Sequence, residues 1–329
     1  MTPAPAPQKP IVVKFGDISS EGKTHPKWAF TPLLNELEAR AEGRLKIERY
    51  WGGQLASSSE QFEATASGII DISKSNPPQG VLYQVMSLSM LPFAYEDPNK
   101  GTFALNQLVE KGYGAADLAG LKYFSGGNTY NCDLLFKDKK PMTIEELSGI
   151  KMRIPGGYLG KTASILGMVP VKVSAPEIYD AMSKGLMDGG MSIKHAFYDW
   201  GVSELAKYEL EGPFGCIGVG MFIMNENKWN SLPADIQGIF VDVWGEHATE
   251  KYLEANGIGD AYAEARMRDA GLDIYSWSPE EMDKLKKLLL TVWDGAVGDL
   301  DNMGLPGKQV MTEWVTALKE MGENPPYTP

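Results

Sequence analysis

The sequence predicts an α/β protein of two domains, on three observations. Strand and helix patterns alternate from residue 11 onward, the rhythm of helices layered on a sheet. The chain has 329 residues, more than one hydrophobic core usually serves. Late in the chain, apolar residues recur at helical spacing from Ile236 to beyond Tyr252, a helix of ~35 residues and ~50 Å if unbroken. That is long enough to lie across two domains, unless Gly257 and Gly259 break it.

In chain order, Ile11-Val-Val-Lys-Phe15 reads as a buried strand after a Pro/Ala-rich lead-in. Phe30, Leu33, Leu34, Leu37 and Ala41 share one helical face, with Pro32 near the start where a proline is tolerated. Leu45 to Tyr50 alternates as a strand. Ser58 and Gln61 have the spacing of a capping box for a short helix. Gly68 to Ile72 and Leu121 to Phe124 read as strands. Thr143 with Glu146 caps a small helix before a strand ending at Arg153, and Ser174 with Glu177 caps a helix over 175–186. Gly218 to Met224 is an apolar strand. Asn225 to Pro233 leads into the long helix, with Pro233 in its first turn. Ser278-Pro-Glu-Glu281 caps a final amphipathic helix through Trp293.

Composition narrows the function. Thirty-one Lys+Arg against 43 Asp+Glu give a net charge of −12. Nucleic-acid binding wants a basic face, so it is not expected. No apolar run approaches the ~20 residues that span a bilayer. The first ten residues carry no signal-peptide core, so a secreted product would have had its signal removed. Cys132 and Cys216 are read either as one disulfide or as two buried thiols.

Catalytic signatures are scarce. His25, His195 and His247 are the three histidines and have no metal-ligand spacing, so no metal is expected. There is no nucleophile elbow or phosphate loop. Gly215 to Gly220 has glycines at tempting positions, but an apolar strand follows where a dinucleotide site needs a helix. Glu145/Glu146 and Glu280/Glu281 sit at helix starts, where they serve the cap and the dipole. No cofactor is expected, and an enzyme is the minority reading. What stands out is Arg153 at a strand end, followed by a capped helix and a Gly-rich turn at Gly185 to Gly190. A guanidinium on rigid backbone is a forked donor for a carboxylate.

These elements resemble the extracytoplasmic solute-binding subunits of tripartite ATP-independent periplasmic (TRAP) transporters, the DctP family. The matching motifs are Gly43-Arg-Leu-Lys-Ile47, Gly53-Gln-Leu55, Gly68-Ile-Ile-Asp71, Leu91-Pro-Phe93, Leu147-Ser-Gly-Ile-Lys-Met-Arg-Ile-Pro155, Glu177-Ile-Tyr179, Gly185-Leu-Met-Asp-Gly189 and Asn227-Lys-Trp-Asn-Ser-Leu-Pro233. Each alone is weak, whereas their order and spacing point to the family. The resemblance implies a two-domain periplasmic-binding-protein fold, with a hinge-spanning long helix and a ligand cleft between domains. It implies a lead-in at 1–10, a first lobe of 11–128 plus 215–256, and a second lobe of 129–214 plus 257–329. It also implies a periplasmic monomer that binds a small organic acid and passes it to TRAP membrane permease subunits.

Site residues follow from the same resemblance. Arg153 occupies the position of the family's carboxylate-binding arginine. Where some members carry a second cleft arginine, this chain has Asp133. It is read as facing the amine of a zwitterionic ligand, as pairing with a protein cation such as Lys74, or as facing away. Ser192 replaces a frequent asparagine and Ala175 a frequent aromatic, both of which enlarge the cleft. Asn76 stands where some relatives have a carboxylate, and Ser19 ends the first strand. Trp28, Tyr130 and Tyr158 are candidates for aromatic walls or for core packing. The ligand expected is a monocarboxylate, aromatic or zwitterionic, rather than a dicarboxylate. The alternatives are a small-acid lyase or isomerase using Asp133, or a sensory binding subunit.

Overall fold

Two mixed sheets organise the chain in a computed structural model that describes residues 9–76, 83–173 and 177–328. By compactness the chain forms one unit from Met1–Asn76, Leu118–Ser125 and Met221–Glu254, and a second from Pro77–Asp117, Gly126–Gly220 and Ala255–Pro329.

Among the described residues, strands β1 to β11 are Ile11–Gly16, Leu45–Tyr50, Ile72–Ser75, Leu121–Gly127, Asp133–Phe136, Lys151–Arg153, Val169–Val171, Gly189–Ser192, Tyr208–Leu210, Gly220–Asn225 and Asp273–Tyr275. The α-helices among them, α1 to α11, are Thr31–Arg40, Gln61–Ala66, Pro98–Glu110, Gly157–Ile165, Ile178–Ser183, Lys194–Asp199, Glu226–Ser231, Ala234–Trp244, Glu246–Asp269, Pro279–Asn302 and Gly307–Glu320.

The first unit's sheet runs β2-β1-β3-β10-β4. Strands β1, β2 and β3 are parallel, and β10 is antiparallel to β3. Strand β3 divides its side chains by the period of two. Ser73 and Ser75 point one way, into a hydroxyl chain with Thr65 (2.8 and 2.9 Å). Lys74 takes the other face, opposite Phe222. There an aromatic cluster of Phe15, Phe222, Trp244 and Tyr252 packs edge to face, with centroids 5.3 to 5.9 Å apart.

The second unit's sheet runs β11-β9-β5-β8-β6-β7. Strands β5 and β8 are antiparallel, while β8, β6 and β7 run parallel. Leu135, Met182, Met187, Phe197, Ala263 and Met267 are among the residues of one buried cluster there. Helix α3 packs on α11, and α10 packs on α11 and α4. This explains why 77–117 groups with the second unit, whereas the lobe boundaries drawn from the sequence put it in the first.

The helical pattern after Pro233 is interrupted, but not at Gly257 or Gly259. It breaks at Gly245 (φ −88°, ψ −120°), where a side chain would meet the Val241 carbonyl at 2.3 Å. Gly257 and Gly259 lie inside α9, which contributes residues to both units. Among the smaller corrections, the capping pair before α2 is Ser57 with Glu60, joined at 2.5 Å, one residue earlier than expected. Strand β3 begins at Ile72, where the expected strand ends. Glu146 accepts from the Met142 N–H, so the pair with Thr143 does not form the cap. Ser174 and Ala175 lie outside the described residues. Ser278 caps α10 as expected, accepting from the Glu281 N–H, and the helix runs on to Asn302.

Cys132 and Cys216 are free and buried. Backbone pairing sets Asn131, not Cys132, opposite Cys216. Among the described residues, no helix is long and apolar enough to cross a membrane.

Candidate functional site

Strand β6 is short because Pro155 and the glycine pair after it end it. Gly156 and Gly157 take positive φ (97° and 58°), which a side chain would resist. The chain turns there into α4 and leaves Arg153 at the strand's end. Close strand approach is secured next door, since a Cβ on Gly189 of β8 would sit 2.0 Å from the Leu135 carbonyl.

Arg153 is 4% exposed. Among the described residues its guanidinium makes no ion pair, and its Nε has no hydrogen-bond partner. It stands over the Trp200 ring at 5.4 Å from the centroid. Burial lowers its pKa to about 10, which leaves it charged at neutral pH. A buried charge ordinarily finds a partner; this one has an aromatic face and a small cavity lined also by Met191, Phe197 and Val202. Trp200, at the end of α6, is the contact that the sequence did not single out.

Ser192 is fully buried at the end of β8, and its Oγ has no hydrogen-bond partner. Directly opposite it in register is Asp133. Asp133 does have a protein cation, but that cation is Lys194 (3.2 Å), not Lys74. Lys194 also bonds Glu209 and Glu211, each at 2.9 Å, and approaches Glu264 at 3.8 Å. Burial pushes the Asp133 carboxyl well above the usual range; Lys194 opposes the rise and the neighbouring Glu209 adds to it. Burial works against the Lys194 charge too, but Asp133 and Glu209 more than offset it and hold its pKa above that of an ordinary lysine.

In the first unit, Asn76 follows β3 and accepts from the Lys74 ammonium at 2.6 Å. Ser19 lies beyond β1, its N–H donating to Asp17 Oδ1 at 2.7 Å. Burial raises the Asp17 carboxyl to about 6, against the lowering effect of Lys74. Trp28 is 42% exposed under the Lys27 ammonium. In the second unit, Tyr130 is 37% exposed, whereas Tyr158 is fully buried in α4 as a core residue. The structure therefore groups Arg153, Trp200, Ser192 and Asp133 in one unit, and Lys74, Asn76, Asp17 and Ser19 in the other. Among the described residues no cluster of His, Cys, Asp or Glu suits a metal ion.

The profile of the DctP family, bacterial extracellular solute-binding protein family 7, matches residues 15–298. The chain belongs to that family. The C4-dicarboxylate-binding periplasmic protein DctP of Rhodobacter capsulatus is 26% identical over 308 residues, covering 88% of this chain and 87% of the relative. A TRAP solute-binding protein from Rhodoferax ferrireducens, solved with copurified benzoate, superposes with a TM-score of 0.88 at 21% identity, over 95% of this chain and 98% of that one. A marine-metagenome TRAP protein described as specific for aromatic acids, solved with 3-hydroxybenzoate, gives 0.86 at 21% identity over 95% and 99%. At these identities the solved structures speak to the fold, which is the two-domain periplasmic-binding fold. DctP-family proteins are TRAP solute-binding components. They bind small acids for membrane permease subunits and are not enzymes.

Proposed function

We propose that this DctP-family protein captures a small organic monocarboxylate in the periplasm, with Arg153 clamping the acid group. One observation carries the reading: Arg153 is a buried guanidinium that, among the described residues, has no carboxylate of its own. A ligand carboxylate supplies the missing charge and accepts two parallel N–H bonds from the guanidinium fork. Ser192, with its buried and unpartnered hydroxyl, adds a neutral donor. The Trp200 ring beside Arg153 favours an aromatic body over a second charge. The benzoate and hydroxybenzoate of the solved neighbours agree with that choice, while the relative named for C4-dicarboxylates keeps succinate and malate in the test set.

The zwitterionic ligand loses its support, because Lys194 already stands against Asp133 at 3.2 Å. Delivery to TRAP permease subunits, from a monomeric binding protein, completes the proposal. A sensory role stays as the alternative partner, separated by whether the purified protein stimulates uptake by its permease in vesicles. The direct test is a melting-shift screen over aromatic, 2-oxo, uronic and C4 acids, since a ligand that binds only the native state raises its stability. Arg153→Ala is expected to abolish every shift. Undiminished binding in that variant sinks the clamp.

A further inference from the structure

Helix α6 brings Trp200 to Arg153, and what holds α6 comes from another helix. It follows β8 directly and ends at Asp199, with Trp200 as its C-cap and the ring centroid 5.4 Å from the Arg153 guanidinium. Its N-cap is Ile193, which has no side-chain oxygen to offer the first turn. The acceptor is supplied by α9 instead. Asp260 Oδ1 accepts from the His195 N–H at 2.8 Å and from the His195 ring Nδ1 at 2.6 Å. Two more contacts lay α6 along the same helix. Lys194 approaches Glu264 at 3.8 Å, and the Tyr198 ring meets Tyr262 edge to face at 5.6 Å. Asp260 and Glu264, four residues apart, share one face of α9. All of these residues belong to the second unit.

A helix of six residues does not persist by itself in water, because its nucleus costs more than one turn of hydrogen bonds returns. Its placement therefore comes from its ties. Phe197 and Ala196 are buried under it, but apolar burial is non-directional and leaves rotation about the helix axis loosely set. Asp260 fixes that rotation, since both of its bonds go to one residue of the first turn. A carboxylate there also suits the helix dipole. Trp200 leaves the same short helix only ~8 Å further along. We propose that Asp260 is a positioning residue for acid binding: through His195 and α6 it holds the Trp200 ring on Arg153 and so sets the affinity of the clamp. Neither Asp260 nor His195 touches the ligand; both act through the helix. This rests on the reading of Arg153 as the acid clamp.

Two measurements on the full chain test this, the first without ligand. In an NMR spectrum of the arginine Nε–H groups, the Arg153 signal is identified by its loss in Arg153→Met, and the ring above the guanidinium displaces it. Trp200→Ala removes that displacement. Asp260→Ala should move the signal the same way, and Asp260→Ser repeats the arm with a side chain too short to reach. Asp260→Asn, whose amide oxygen caps as well as a carboxylate, should leave it near its wild-type position. The second measurement is calorimetric titration of benzoate, 3-hydroxybenzoate, mandelate and succinate. For each acid that binds, Asp260→Ala should weaken binding about threefold or more, the lower end of a lost cation–π contact. Because Asp260 acts through the ring, the Asp260→Ala, Trp200→Ala double variant should bind within about twofold of Trp200→Ala alone. Leu318→Ala, a buried truncation on α11, controls for lost stability and should bind as wild type does. An unmoved Arg153 signal in Asp260→Ala, wild-type affinity in that variant, or losses that multiply in the double variant each overturn the proposal. Packing of Phe197 would then place α6. Retained binding in Arg153→Met refutes the clamp instead, while the Nε–H signal still decides whether Asp260 holds the ring. No binding of any of the four acids to wild type overturns the role in affinity along with the clamp.

Discussion

The Arg153 guanidinium lies over the Trp200 ring at 5.4 Å from its centroid, and among the described residues no carboxylate joins them. An aromatic face is attracted to a cation but returns no net charge. The pair therefore keeps the arginine in place and leaves its charge for a ligand. Trp200→Ala should weaken acid binding by about 3- to 30-fold, the range of a partly desolvated cation–π contact, and Trp200→Phe by less. Titration calorimetry measures both, and an unchanged affinity in Trp200→Ala would remove the ring from the site.

Arg153→Met separates a ligand clamp from a structural ion. Replacing an unpaired buried charge with an apolar side chain of similar size is neutral or stabilising. The unliganded variant should melt at or above the wild-type temperature while losing its response to acids. A fall of several degrees without ligand would mean that Arg153 holds the fold together. Arg153→Lys keeps the charge but not the fork, and its affinity should drop by about tenfold or more.

Asp133 gives a pH signature. Burial raises its folded pKa well above that of an ordinary aspartate, so the native state keeps a proton that the unfolded chain has released. Stability from this group is then full below about pH 4 and declines as pH rises towards the folded pKa. Asp133→Asn keeps the shape and removes the titration. Its melting temperature relative to wild type should rise between pH 4 and pH 8. A flat difference over that range would show that burial and the neighbouring Glu209 do not raise the Asp133 carboxyl against Lys194.

Gly189 tests the scaffold under the site. A Cβ there would meet the Leu135 carbonyl at 2.0 Å, so Gly189→Ala must push β8 and β5 apart. A cost of about 2 kcal/mol or more is expected, as for other overpacked core positions, seen as a lower denaturation midpoint. Gly185→Ala meets nothing within 4 Å, although its φ of +73° brings a strain of about 1 kcal/mol. It should be the milder of the two.

Much of this protein was legible in its sequence. Strands at Ile11, Leu45 and Leu121, the Ser278 cap and the end position of Arg153 follow from periodicity and capping chemistry, which act over a few residues. The ordered motifs around Arg153 carried the family. Tertiary structure decided what depends on partners distant in sequence. Asp133 found Lys194 because β5 and the start of α6 converge in one sheet's end. Trp200 reached Arg153 across β8, and the helix broke at Gly245, not at Gly257 or Gly259. Lys74, named from the sequence as a partner for Asp133, lies past the end of the strand expected there. Only the tertiary structure sets it beside Asn76 and under Tyr252, because local pattern sets which face a side chain takes but not what waits for it there.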